Sequence, residues 1–355
     1  MIYYNFILSN YADVKPLKIN GYSCNASKID DKYISRSTNY TFLNPYFKHK
    51  YNLGRHLWFD KSIWTDEKLY NLDFSFVKDI SKSNEHFKQA SGDEDFRIIK
   101  WNNENYGIYS RVIIPFRKNE VHFCKFSSNY DVCEDKKIIT KEQTEKNWQP
   151  IETIPFKCVY SYKPFKIINL NNSNFELIPN NIVTTNYRGS TQIIKFNDYN
   201  LGIVHERKEE GLEHYYIHYF ILFDKNMNLL KISKPFSFFG ADIEFCTYLN
   251  YNNGNITILM SVNDQISFEF SIPDTIIYDI FEEKLNDCNK NKRMYENFYT
   301  IAKNNNNINA AICLATFCND KDIIEEAIKL NFNCKLSEDK KILLQKILIE
   351  KYRGI

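Results

Sequence analysis

Between about residue 22 and residue 273 short apolar runs alternate with clusters of Asn, Asp, Gly and Lys, a pattern that predicts β-strands separated by turns. The run 97–101 is followed by a polar turn at 102–105 and a second run at 106–112, which reads as a hairpin. The same layout returns at 192–196, 197–200 and 201–205, followed by a long strand at 214–224, and again at 247–251, 252–255 and 256–262. A hairpin unit recurring roughly every 40–50 residues predicts a β-propeller ahead of a β-sandwich, which would also give many short strands. After residue 273 the apolar spacing becomes helical, with segments at 275–289, 293–302, 308–317, 320–331 and 338–352. Ile323, Ile324, Ala327, Ile328 and Leu330 mark one such face, Asp320 is placed to cap it, and Ser337 is placed to cap the last helix. The expected organisation is a β-propeller over residues 1–274 and a C-terminal α-helical extension over 275–355.

Composition narrows the function. Lys and Arg number 46 against 44 Asp and Glu, so charge gives no footprint for nucleic acid or an anionic membrane. The nine cysteines, from Cys24 to Cys334, form neither a CxxC nor a Cys/His cluster, which argues against a zinc site and a disulfide framework and for a reducing compartment. The N-terminal residues carry no basic segment ahead of an apolar run of signal-peptide length, and no run is long enough to span a membrane. The expected location is cytoplasmic. The abundance of Asn, Lys and Ile, including Asn304-Asn305-Asn306-Asn307, points to an AT-rich genome such as that of a large DNA virus or a protist.

Polar motifs punctuate the strand runs. They are Asn25-Ala26-Ser27 leading to Arg36-Ser37-Thr38-Asn39-Tyr40, then Glu94-Asp95-Phe96-Arg97, Glu145-Lys146-Asn147-Trp148, Tyr162-Lys163-Pro164, Arg188-Gly189-Ser190-Thr191-Gln192 and His205-Glu206. Carboxylate, cation, amide and aromatic groups thus recur at the ends of apolar segments far apart in sequence, as a site assembled from several sheets requires. A carboxyl acting as a general acid has to be partly desolvated to hold its proton near neutral pH. Tyr216 and His218 alternate along one strand and share a face. Trp101 and Trp148 read as packing residues, and Glu244 as part of an exposed turn.

In this order, over about residues 22–272, the motifs resemble the five-bladed β-propeller family of β-mannoside phosphorylases and glycosidases, with the related mannosyltransferases and glycosyltransferase-associated domains. Gly92-Asp93-Glu94-Asp95-Phe96-Arg97 is similar to the family's Glu-Asp-Pro-Arg motif, whose Asp is catalytic, and Tyr162-Lys163-Pro164 to its His-Arg-Pro element. The resemblance implies Asp95 as general acid or base in inverting glycosyl transfer or phosphorolysis of a mannoside-like bond. It implies Arg36, Asn39, Arg97, Arg188, Tyr216 and His218 as substrate contacts, and Lys146, Asn147, Lys163 and His205 as the phosphate subsite. Phosphate or a nucleotide-sugar would be the co-substrate, with no cofactor and no metal. Phe96 stands where the family has proline and Lys163 where it has arginine, which loses bidentate phosphate geometry while keeping the charge. Two functions therefore stand side by side: a glycosyltransferase, glycoside phosphorylase or glycosidase, and a non-catalytic propeller that binds a glycan or sugar nucleotide. Either way the expected ligand is a carbohydrate or sugar phosphate, and the helical tail is open to a protein partner or to self-association.

Overall fold

The computed structural model describes residues 4–21, 23–53, 57–58, 64–81, 91–113, 118–138, 146–178, 185, 187–210, 213–334 and 336–355. Glu145 and Tyr22, which the sequence reading included, lie outside them. The fold is mainly β with helices at the C-terminal end, as the change in apolar period predicts.

Consecutive antiparallel strands build the sheets. Cys24–Ile29, Lys32–Thr38, Trp64–Asn71 and Phe76–Ser81 form one meander, and Ser91–Trp101, Glu104–Ile113, Lys118–Phe126 and Val132–Lys137 a second; a short parallel pairing of Trp64 with Ser91 and Thr65 with Gly92 joins the two into an eight-stranded sheet. Gln149–Pro150, Lys157–Tyr162, Phe165–Asn169 and Phe175–Leu177 make a four-stranded sheet. A further sheet is centred on the long pair Tyr199–Glu210 and Glu213–Phe223, and the last contains Glu244–Asn252, Asn255–Val262 and Ile266–Pro273. N-terminal segments complete both of these: Phe6–Ile7 runs parallel to Phe236–Ser237, and Asp13–Pro16 pairs antiparallel with Ile266–Pro273.

The three repeated hairpins are present, but their turns are tighter than the four residues expected. Trp101 pairs with Glu104, Phe196 with Tyr199 and Asn252 with Asn255, which leaves two-residue turns. Asn102, Asn103, Asn197, Asn253 and Gly254 in these turns adopt positive φ, the conformation such hairpin turns need and Asn and Gly accept.

The helices after the last strand are Asp274–Phe281, Met294–Asn304, Ile308–Ala315, Lys321–Asn333 and Glu338–Arg353. The first stops well short of the expected residue 289, because Glu283 takes φ +60° and Lys284 N donates back to the Asp279 carbonyl at 2.9 Å. Asp320 caps its helix as expected, accepting from Asp322 N and Ile323 N, whereas Ser337 holds the cap position without a side-chain capping bond. Ile308–Ala315 is buried along its length apart from Ile308. Its apolar residues share one core cluster with Phe268 and Phe270 of the last sheet and Phe298 of the neighbouring helix. The helical segment is thus packed onto the β-structure through common apolar surface.

Candidate functional site

Two β-bulges create the centre of the site. In Cys24–Ile29, Asn25 and Ala26 together face Ser35, and in Ser91–Trp101, Asp95 and Phe96 together face Tyr109. An extra residue bends its strand and re-aims the side chain. Asn25 and Asp95 adopt φ +49° and +60°, and Asn and Asp are the non-glycine residues that tolerate this region best. The two side chains meet: Asn25 Nδ2 donates to Asp95 Oδ1 at 2.6 Å, while Asn25 Oδ1 accepts from the Ser261 hydroxyl of the last sheet. Ser27 Oγ reinforces the contact by donating to the Phe96 carbonyl at 2.5 Å. Phe96 is buried and stacks on Tyr109 with ring centroids 4.2 Å apart.

Arg36 binds both carboxylates of the motif. Its Nη1 donates to Asp95 Oδ1 at 3.2 Å, and its Nη2 to Glu94 Oε1 at 2.8 Å and to Tyr40 Oη at 3.0 Å; Nε donates to Thr65 Oγ1 at 2.7 Å. Tyr40 in turn donates to Asp264 Oδ2 at 3.0 Å. Burial pushes the Asp95 carboxyl upward, but Arg36, Arg97 and Lys146 and the Asn25 amide outweigh it and leave the pKa below the usual carboxylate value. Asp95 is therefore held as the carboxylate. Glu67, opposite Arg36 in the sheet, is the contrasting case, because burial holds its carboxyl well above the usual range.

Arg97 is turned inward. It is buried, and donates to the carbonyls of Asp95 at 3.1 Å, Ser190 at 2.6 Å and Gly189 at 3.4 Å, and to Asn147 Oδ1 at 3.3 Å. It therefore ties down the segments that carry Asn147 and Arg188. Gly189 is required at its place: a Cβ there would lie 2.3 Å from Gln149 Cγ and 2.4 Å from the Asn147 carbonyl oxygen. His205 lies across from Arg188 and His218 in the ladder, its Nδ1 is 2.8 Å from Ser190 Oγ, and its ring meets Tyr216 and Phe245 edge-on. Burial, then His218 and the nearby cations, hold its pKa well below the usual value, so His205 is a neutral group.

These residues surround a cavity of about 230 Å³. Asn25, Arg36, Tyr40, Glu94, Asp95 and Asp264 line one side; Lys146, Asn147, Arg188, His205 and Arg207 line another; Tyr216, Ile243 and Phe245 add an apolar wall. Of the expected site residues, Asp95, Arg36, Arg188, Tyr216, Lys146, Asn147 and His205 are brought together here. Asn39, Arg97, His218 and Lys163 are not among the lining residues. Asn39 is buried at the bend before Tyr40–Thr41. His218 points into an apolar cluster, 4.9 Å from the Phe238 ring centroid, and Lys163 is exposed in the turn between Lys157–Tyr162 and Phe165–Asn169.

Arg207, Asp264, Ile243 and Phe245 were missed. Arg207 was detectable, being two residues beyond His205 on the same strand face. Glu244 is not in an exposed turn: it is fully buried and accepts from Ser237 Oγ and the backbone N–H groups of Phe238, Phe239 and Ala241 at 2.7–2.9 Å. It anchors the loop that leads to Ile243 and Phe245. Trp101 and Trp148 are buried packing residues, as expected.

No family model and no curated protein sequence matches the chain. Among solved structures, β-1,2-mannobiose phosphorylase from Listeria innocua in its β-1,2-mannobiose complex is similar at a TM-score of 0.50 and 12% identity, covering 79% of this chain and 99% of that one. A mannose phosphorylase from Leishmania mexicana in complex with phosphate ion has a TM-score of 0.45 and 12% identity, covering 73% and 86%. A structure reported with the mannoside phosphorylase family, which contains glycoside hydrolases targeting β-1,2 mannosidic linkages in Candida mannan, has a TM-score of 0.48 and 11% identity, covering 72% and 86%. At such identities the likeness to the Listeria structure is one of fold. The chain thus resembles the mannoside phosphorylases in its fold.

Proposed function

We propose that this protein is a five-bladed β-propeller that cleaves or forms a mannoside-like bond by inverting phosphorolysis, with Asp95 as the acid/base group. The observation that carries this reading is the convergence on one cavity of a fixed carboxylate, Asp95, and a set of cations and amides, Lys146, Asn147, Arg188 and Arg207. Lys146 and Arg188 are exposed and free to approach an anion, while Arg36 and Asn25 hold Asp95 still. The wall of Tyr216, Ile243 and Phe245 suits the C–H face of a sugar ring.

In this mechanism a phosphate oxygen attacks the anomeric carbon as the glycosidic C–O bond breaks, and the leaving oxygen takes the Asp95 proton through a sugar hydroxyl. The low pKa of Asp95 is compatible with this chemistry because a phosphate dianion held by Lys146 and Arg188 offsets their charge and raises the carboxyl pKa. Phosphate binding and protonation of Asp95 are then linked. The cavity is smaller than the roughly 300–1,000 Å³ of drug-sized pockets. That favours a sugar ring with a simple phosphate over a bulky nucleotide-sugar, and so phosphorolysis over nucleotide-dependent transfer.

The low pKa of Asp95 also favours a second reading, a binding propeller whose carboxylate only orients sugar hydroxyls. Phosphate release from mannose 1-phosphate in the presence of acceptor mannose separates the two. Wild type is expected to turn over and Asp95→Asn to lose about 10²–10⁴-fold in rate. Sugar binding without turnover, unchanged in Asp95→Asn, contradicts the enzyme reading.

A further inference from the structure

The C-terminal helix Glu338–Arg353 has two apolar faces. Leu344, Ile347 and Leu348 are buried against the rest of the helical segment, while Ile342 is 62% exposed and lines, with Ile349, a groove of about 550 Å³. Phe332, 66% exposed, and Tyr51 form its flanks. The polar residues along this outer stripe are arranged symmetrically about the middle of the helix. Glu338 and Lys341 precede the centre as far as Arg353 and Glu350 follow it, with Ile342 and Ile349 between them.

We propose that a second copy of this chain occupies the groove, its Glu338–Arg353 helix packed antiparallel about a two-fold axis between Gln345 and Lys346. In that register Glu338 faces Arg353 of the second copy, Lys341 faces Glu350 and Ile342 faces Ile349, and each pairing occurs twice, as an isologous interface demands. A parallel packing would set Lys341 against Lys341 and Glu338 against Glu338. Glu350 already accepts from Lys50 Nζ at 2.5 Å and Tyr51 Oη at 2.7 Å, and a carboxylate has lone pairs left for a further donor. The groove is concave, which suits inserted side chains better than a flat bilayer surface. The helix is about 24 Å long at 1.5 Å per residue. A single helix contact is smaller than the roughly 800 Å² per partner of a standard stable interface, which places this one in the weak, transient class.

Sedimentation of the full chain from low to high micromolar concentration tests this. Wild type is expected to pass from monomer to dimer. Glu338→Arg and Arg353→Glu are each expected to weaken association at least about tenfold, because each sets like charges together twice. An equimolar mixture of the two variants is expected to recover dimers, since every pair is then opposite in charge. Ile342→Glu replaces an exposed side chain and is expected to abolish association while the circular dichroism spectrum is retained. A wild type that stays monomeric at high micromolar concentration, variants that associate like wild type, or a mixture no better than its components would each overturn the proposal.

Discussion

Two histidines of one ladder pair show how position, not residue type, decides chemistry. His205 lines the cavity and His218 lies in the apolar cluster with Phe236 and Phe238. Among the described residues neither ring nitrogen of His218 has a hydrogen-bond partner of good geometry, although the Glu244 backbone pulls its pKa slightly upward, and burial lowers it to about 3. Its unfolded value is about 6.5, so between these limits the unfolded chain binds the proton that the folded chain refuses. The resulting stability is fully present above the unfolded pKa and is lost as pH falls toward 3. Urea denaturation at pH 7 and pH 5 is expected to show wild type losing on the order of 2 kcal/mol more than His218→Leu; equal losses would contradict the assignment. At this scale Asp95, Arg36 and Lys146 were legible because Asp, Arg and Lys stand at the ends of apolar runs in the motifs. Arg97 is not among the lining residues because the bulge at Asp95 and Phe96 breaks the two-residue alternation that would put it on the same face as Asp95.

At the scale of elements, the site depends on segments that meet without room to spare. Arg188–Gly189 passes against Gln149 and the Asn147 carbonyl, and Arg97 ties it down through the carbonyls of Gly189 and Ser190. Gly189→Ala is expected to destabilise the fold by at least roughly 1–3 kcal/mol and to displace Asn147 and Arg188. Chemical denaturation measures the first effect, and loss of phosphate affinity out of proportion to the loss of stability measures the second. An alanine variant as stable as wild type would show that the close approach is not what fixes this strand. The strands and repeated hairpins were legible from alternation and Asn-rich turns. The early end of Asp274–Phe281 was not, because the residue that takes the left-handed conformation is Glu283, and neither Gly nor Asn marks the stop.

For the whole molecule, the mainly β body and helical end follow from the change in apolar period. The pairing of Asp13–Pro16 with Ile266–Pro273 joins residues too far apart for local pattern to reveal, and the apolar surface shared by Ile308–Ala315 and the last sheet is equally non-local. The last sheet reaches the site through Ser261, whose hydroxyl donates to Asn25 Oδ1 beside Asp95. Phosphorus NMR of the protein incubated with β-1,2-mannobiose and inorganic phosphate tests the inverting phosphorolysis proposed for the cavity. A resonance of α-mannose 1-phosphate is expected in wild type, and its loss in Asp95→Asn. Free mannose without any sugar phosphate, or a resonance that persists in Asp95→Asn, would contradict it.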